Sequence, residues 1–232
     1  MSAFVRYELL NFIRSLKFIP PVVLYLAWIF ILYAYKNVPI LSSYGVSSIA
    51  IYIVMTWIAM GMLSIEEESE KHILFSHLGS KWRYLRGKWY ALLLMMVPLM
   101  LFAVFFPIFT GSFKAGMTIE YYLLTFFCHT VFAILGALVG TLFSATRLAD
   151  NKYAWLSAVF VLVCSLASKS LIETAVFLKW ILWIFPPVFN VIEHMDNDFN
   201  VNNGLWLDLI FVIAYIVLAA TIAVWLFLKK ER

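Results

Sequence analysis

Six stretches of this chain run for sixteen to twenty-four residues without a single Asp, Glu, Lys or Arg: Phe18 to Tyr35, Val46 to Ile65, Trp89 to Thr110, Tyr121 to Ser144, Tyr153 to Ser168 and Leu209 to Leu228. A helix needs about 20 apolar residues to cross the hydrocarbon core of a bilayer, with about 17 to 25 tolerated. Within lipid, only a helix or a closed barrel satisfies the backbone hydrogen-bonding groups. The runs therefore predict an all-α integral membrane protein with six transmembrane helices. The apolar share of 64% and charged share of 13% agree, because a soluble domain is about half apolar and about a quarter charged. A soluble chain of this composition would leave large apolar patches in water. Residues 1–232 are expected to form a single transmembrane domain.

Charge placement sets the expected orientation. With six spans, one side of the membrane receives thirteen Lys and Arg residues and the other receives Lys36, Lys114, Lys169 and Lys179. The basic excess marks the cytoplasmic side, which puts both termini in the cytoplasm. It also argues against nucleic acid as the partner of the net +4 charge. Trp180 to Ile192 is apolar but only thirteen residues long, and Pro186-Pro187 breaks it. It is expected to be re-entrant or interfacial rather than a seventh crossing, which would carry Lys229, Lys230 and Arg232 outside. The first seventeen residues are too polar for a cleaved leader. At 100° per residue, Val5, Leu9, Phe12, Ile13 and Leu16 share one face there, and Glu8, Asn11, Arg14 and Ser15 the other. The pattern predicts an amphipathic helix in the headgroup region. Pro98 and Pro107 predict kinks in the third span. Gly136 and Gly140 predict close helix packing within the chain. Cys128 and Cys164 fall inside spans and read as apolar fillers.

The spans offer little chemistry. His129 is the one ionisable side chain well inside them, and a lone histidine there reads as packed and hydrogen-bonded rather than as a proton relay. No phosphate-binding GxxxxGK[ST] loop occurs, so any nucleotide must be hydrolysed in another chain. The chain itself is expected to be no enzyme, with no catalytic residue and no metal ligand, and no residue is assigned to substrate.

The segment between the second and third spans is the most informative. Glu66, Glu67, Glu68 and Glu70 open it, where acids favour a helix N-terminus. Ile73, Leu74, Phe75 and Leu78 supply an apolar run, Gly79-Ser80 a stop, and Lys81, Arg83, Arg86 and Lys88 lead into the third span. A short helix with apolar residues beside the membrane has the shape of a docking element.

This segment resembles that of ABC-2-type transporter permeases, which carry a cytoplasmic coupling helix after the second span. Their pattern is an acid, a hydrophobic run, a small or proline-containing turn, a basic residue and a Gly-Lys pair. Glu70, the run Ile73 to Leu78, Gly79-Ser80, Arg83 and Gly87-Lys88 follow it in order, without the proline often found in the turn. The family also has an amphipathic helix before the first span and short re-entrant helices between the fifth and sixth. The resemblance implies a permease of a bacterial plasma-membrane exporter, of the kind that moves hydrophobic or amphipathic compounds such as antimicrobial peptides. It implies a cytosolic ABC ATPase as partner, with ATP and Mg bound there and not by this chain. It also implies a second permease copy or a similar permease, and lipid around both. Glu70, Ile73, Leu74, Phe75, Leu78, Gly79, Ser80 and Arg83 are the expected ATPase-docking residues.

Two other readings compete. Glu66-Glu67-x-x-x-Lys71 is superficially similar to the paired-glutamate motif of CAAX-type intramembrane proteases, but it lacks the arginine, and His72 and His77 lie in the same loop, five residues apart. A structural or regulatory membrane protein with no ATPase is the third. Replacing Glu66→Gln together with Glu67→Gln separates them: a protease loses all activity in a peptide-cleavage assay, whereas an exporter keeps most of its transport.

Overall fold

The computed structural model describes residues 1–114, 116–146, 148, 152–174, 177–195 and 203–231. Arg147 and Arg232, two of the thirteen basic residues in the charge count, lie outside them, as do Ala175 and Val176 of the segment before the sixth run. The described residues form eleven helices and no strand longer than an isolated bridge. In chain order they are α1 (Ser2–Arg14), α2 (Ile19–Leu32), α3 (Ile40–Leu63), α4 (Glu68–Leu78), α5 (Lys81–Phe109), α6 (Ile119–Ala145), α7 (Ala154–Leu166), α8 (Ser168–Thr174), α9 (Leu178–Leu182), α10 (Val188–Ile192) and α11 (Asn203–Lys230).

Four of these, α3, α5, α6 and α11, are long and apolar enough to cross a membrane; the number rises to six if the bent pairs α1–α2 and α7–α8 each count as one span. The helices fit a multi-pass membrane protein. The first and fifth apolar runs form shorter helices than their lengths suggest. α2 has 14 residues, or about 21 Å at 1.5 Å per residue, against a core of about 30 Å. α1 meets α2 at 79°. Leu16, at φ +57°, makes the turn in a region that costs a branched residue roughly 1 to 2 kcal/mol. Pro20 and Pro21 then occupy the first turn of α2, where no backbone N–H is needed. α7 and α8 are set at 65°. Pro186-Pro187 separates α9 from α10, two five-residue helices in place of the thirteen-residue apolar run. Pro98 and Pro107 both lie inside α5, which continues through them to Phe109.

α3 and α6 form the centre of the bundle and pack on each other more than any other pair. Glycine makes this possible. A Cβ on Gly136 would stand 2.3 Å from the Tyr52 carbonyl oxygen, and one on Gly140 would stand 2.6 Å from Ala59 Cβ and 2.7 Å from the Thr56 oxygen. Thr56 closes the seam by donating to the Tyr52 and Gly136 carbonyls at 2.9 and 3.1 Å. His129 is fully buried in the same seam. Its Nδ1 lies 2.9 Å from the Thr125 carbonyl, which can only accept, so Nδ1 carries the hydrogen. Nε2 is then free to accept from the Ser47 hydroxyl of α3 at 2.8 Å. The histidine thus acts as a clamp between α3 and α6.

The first helix differs from its sequence pattern. The stripe it buries is Phe4, Val5, Glu8 and Phe12, while Ile13 and Leu16 are exposed. Glu8, on the polar face by periodicity, turns inward because a buried cation on α5 waits for it.

Gly140→Leu forces the α3 and α6 backbones apart. Thermal unfolding in detergent should show a loss of at least about 1 to 3 kcal/mol, the usual range for overpacking. An unchanged midpoint would mean the close approach does not hold the bundle.

Candidate functional site

α4 is a short helix between two candidate spans, and its ends follow from local chemistry. Glu68 and Glu70 lie in its first turn, against the positive end of the helix dipole. Gly79 ends it at φ +65°, with its N–H on the Ser76 carbonyl. The space beside Gly79 is empty, so its left-handed backbone, and not crowding, calls for glycine. Ser80 is extended and starts α5.

One face of α4 is seated on the chain's own helix ends. Phe75, 7% exposed, meets Tyr84 of α5 edge-on at 5.0 Å and Phe227 of α11 at 6.2 Å. Tyr84 stacks on Phe227 and also touches Phe4 of α1. Leu74 and Leu78 pack against this aromatic cluster. Lys71 pairs with Glu231 just beyond α11 and lies over the rings of Phe75 and Phe227 at 5.7 and 5.6 Å. Lys81 donates to the Glu231 carbonyl. Tyr7 of α1 donates to Glu70 at 2.6 Å; that hydrogen bond, with some burial, pushes the phenol up to about 12.

The other face is open. Ile73 is 59% exposed, and Ser69, His72, Ser76 and His77 are exposed beside it. Trp82 and Arg83 extend this face onto α5, with Arg83 donating to the Leu78 carbonyl at 3.3 Å. The eight residues singled out by sequence thus divide by direction. Ile73 faces outward; Leu74, Phe75 and Leu78 face inward; Glu70 is tied to α1; Gly79 and Ser80 make the turn; Arg83 folds back on the helix end.

Behind α4 lies a buried ionic cluster that periodicity did not reveal. Lys88 of α5 contacts Glu8 of α1 and Glu66 of the segment before α4, and all three side chains are shut off from solvent. Lys88 also donates to the Met62 carbonyl at 2.9 Å, and Tyr84 donates to Glu66 at 3.1 Å. The adjacent Gly87 lets α1 approach: a Cβ there would fall 2.3 Å from the Phe4 ring. The signal present in the sequence was a single acid, Glu8, spaced four residues from Phe4 and from Phe12. The paired glutamates have separate surroundings, since Glu66 is held by Lys88 and Tyr84 while Glu67 is exposed at the start of α4. Among the described residues, no group of three His, Cys, Asp or Glu side chains gathers as metal ligands would.

At the opposite end of α11, Asp208 accepts from Asn190 and meets His194, each at 2.9 Å. Asp208 and Asn190 border a cavity of about 540 Å³ whose lining includes Trp183, Phe185 and Phe189. A second cavity, of about 160 Å³, lies between α3, α5, α6 and α11 and is lined by apolar side chains alone, Met55, Leu92 and Ala137 among them.

Comparison of the chain with protein-family models, with curated proteins and with solved structures finds no match.

Lys88→Met removes the one cation between two buried carboxylates. It should cost about 3 to 5 kcal/mol of stability, the usual penalty for breaking a buried pair. Adding Glu8→Gln and Glu66→Gln should recover most of that. The role of the cluster is refuted if Lys88→Met alone unfolds like the wild type.

Proposed function

We propose that this chain is the membrane-spanning subunit of an ATP-binding cassette exporter in a bacterial plasma membrane. The observation that carries this reading is α4: a short helix between two candidate spans, locked on one face to the ends of α1, α5 and α11 and open on the other. Such an element transmits force, because whatever binds the open face moves three helix ends at once. The order of residues in and after α4, from Glu70 to Lys88, is the ground for choosing this transporter class.

In this reading the chain crosses six times. α2 and α7 serve as the first and fifth crossings, α8 to α10 as the re-entrant segment, and both termini are cytoplasmic. α1 lies in the headgroup region. A cytosolic ATPase subunit binds α4 and supplies the ATP and Mg site. Closure of the ATPase pair on ATP favours one orientation of the docked helices, and through them one arrangement of the spans. A second copy, or a similar permease, completes the path. The substrate is a hydrophobic or amphipathic compound, in keeping with uncharged spans and the apolar cavity among α3, α5, α6 and α11. An amphipathic peptide is the case to test first.

The open face of α4 makes Ile73 the apolar anchor of the interface, with Trp82 and Arg83 at its rim. Phe75 and Leu78 act inside the chain. Ile73→Asp should therefore weaken association with the co-purifying ATPase by about tenfold or more, a difference of about 1.4 kcal/mol. It should move the unfolding midpoint of the isolated chain by little, as surface changes do. Phe75→Ala should do the reverse and destabilise the chain by about 3 to 5 kcal/mol. A mild-detergent pull-down from the native membrane, with mass-spectrometric identification, reads the first; if no protein with a phosphate-binding loop accompanies the wild-type chain, the exporter reading fails.

A further inference from the structure

Three ionisable side chains meet where α1 crosses the start of α5, and their charges do not balance. Glu8, Glu66 and Lys88 have side chains 0%, 1% and 0% exposed. Fully ionised, they place one net negative charge in a site sealed from water. Burying an uncompensated charge is costly, and a group so placed tends to neutralise instead. Lys71 of α4 is itself taken up by Glu231. The neighbouring phenols feel the cluster's acids: Tyr84 of α5 is acted on by Glu66, Glu8 and Glu231, and Tyr7 of α1 by Glu70, Glu8 and Glu66.

The hydrogen bonding is one hydrogen short as well. Lys88 Nζ sits 2.5 Å from Glu8 Oε2, yet neither Glu8 oxygen has an aligned donor. Glu66 Oε1 contacts the same Lys88 Nζ, so both carboxyl groups are gathered on one ammonium. A proton on the Glu8 carboxyl supplies the missing hydrogen and removes the surplus negative charge at once. Burial pushes the Glu8 carboxyl up, the Lys88 ammonium draws it back, and the Glu66 carboxylate raises it again; the net direction is upward.

We propose that Glu8 is a buried proton-binding site beside Glu66 and Lys88, and that loss of its proton to water releases α1 from the base of α5. Release leaves a carboxylate where a neutral acid stood, and the second buried negative charge works against the contact. The folded state holds this proton at pH values where an unfolded carboxyl, near 4.3, has already lost it. The contact is therefore strongest in acid and weakens as pH rises through the value of the folded site. α1 carries Tyr7, which donates to Glu70 of α4, so the proton also bears on how firmly α4 is held. The inference rests on the buried cluster and stands whatever docks on α4.

Infrared spectroscopy of the full chain in detergent micelles, stepped from about pH 5 to about pH 9, tests it across the range where an upshifted carboxyl titrates. The wild type should show the carbonyl stretch of a protonated carboxyl at neutral pH, fading on the alkaline side. The band should be absent from the variant carrying Glu8→Gln and Glu66→Gln. Across the titration, each pH unit should change the ratio of seated to released α1 by up to about tenfold, the limit for one proton. Glu8→Gln alone, which mimics the neutral acid, should flatten that dependence. A wild-type spectrum with no such band at neutral pH overturns the proposal, even if the variants fail to fold. So does a band that persists in the double variant.

Discussion

The bundle depends on how closely α3 can lie against α6. In lipid there is no hydrophobic gain from bringing two apolar helices together, so association rests on van der Waals contact and on polar groups shared between helices. Gly136 and Gly140 allow the backbone of α6 to approach α3 so closely that a single methyl group at either would overlap Tyr52, Thr56 or Ala59. That approach brings Thr56 within reach of the Gly136 carbonyl, and His129 within reach of Ser47 and Ser48. The polar contacts follow from the close packing, and they in turn fix its register. α5 and α11 then pack around this pair, with most of the apolar stretch of α11 left exposed.

At one end of the bundle the physics changes from small residues to aromatic rings and charge. Four helix ends converge there, and Phe75, Tyr84, Phe227 and Phe4 fill the space between them. α4 has no span of its own, so its position is set by this cluster and by the pairing of Lys71 with Glu231. Behind it, Lys88 sits between the carboxyl groups of Glu8 and Glu66 where Gly87 lets α1 in. A ligand or partner on the open face of α4 would act on all of these contacts together. That is the physical link between the site and the spans, and the basis of the exporter reading.

Several features were legible in the residues. The fourth apolar run matches α6 to within two residues, while α3, α5 and α11 begin six, eight and six residues ahead of the second, third and sixth runs; a long uncharged run allows little besides a helix in lipid, but it does not mark where that helix starts. α4 was legible from its acids, apolar run and Gly79. The packing role of Gly136 and Gly140 was legible as close approach, though their partner was not. The first run was read as one longer span than α2 makes, since apolar composition carries no sign that the helix ends at Leu32, where Ser112 from beyond α5 takes up the Tyr33 carbonyl. The buried stripe of α1 was misread at Glu8. Periodicity assigns a carboxylate to water, and only a cation 80 residues away in sequence reverses that.

Composition and pattern by themselves determined that this protein is helical, suited to a membrane, and equipped with a short helix between its second and third apolar runs. These follow from solvent preference and backbone hydrogen bonding, which act locally on each segment. The tertiary structure alone decided which way that short helix faces, turning Phe75 inward and Ile73 outward, and brought Glu8, Glu66 and Lys88 into one sealed site. Those outcomes depend on contacts between residues distant in sequence, where burial, charge balance and the room left by a glycine are set by the whole arrangement of helices.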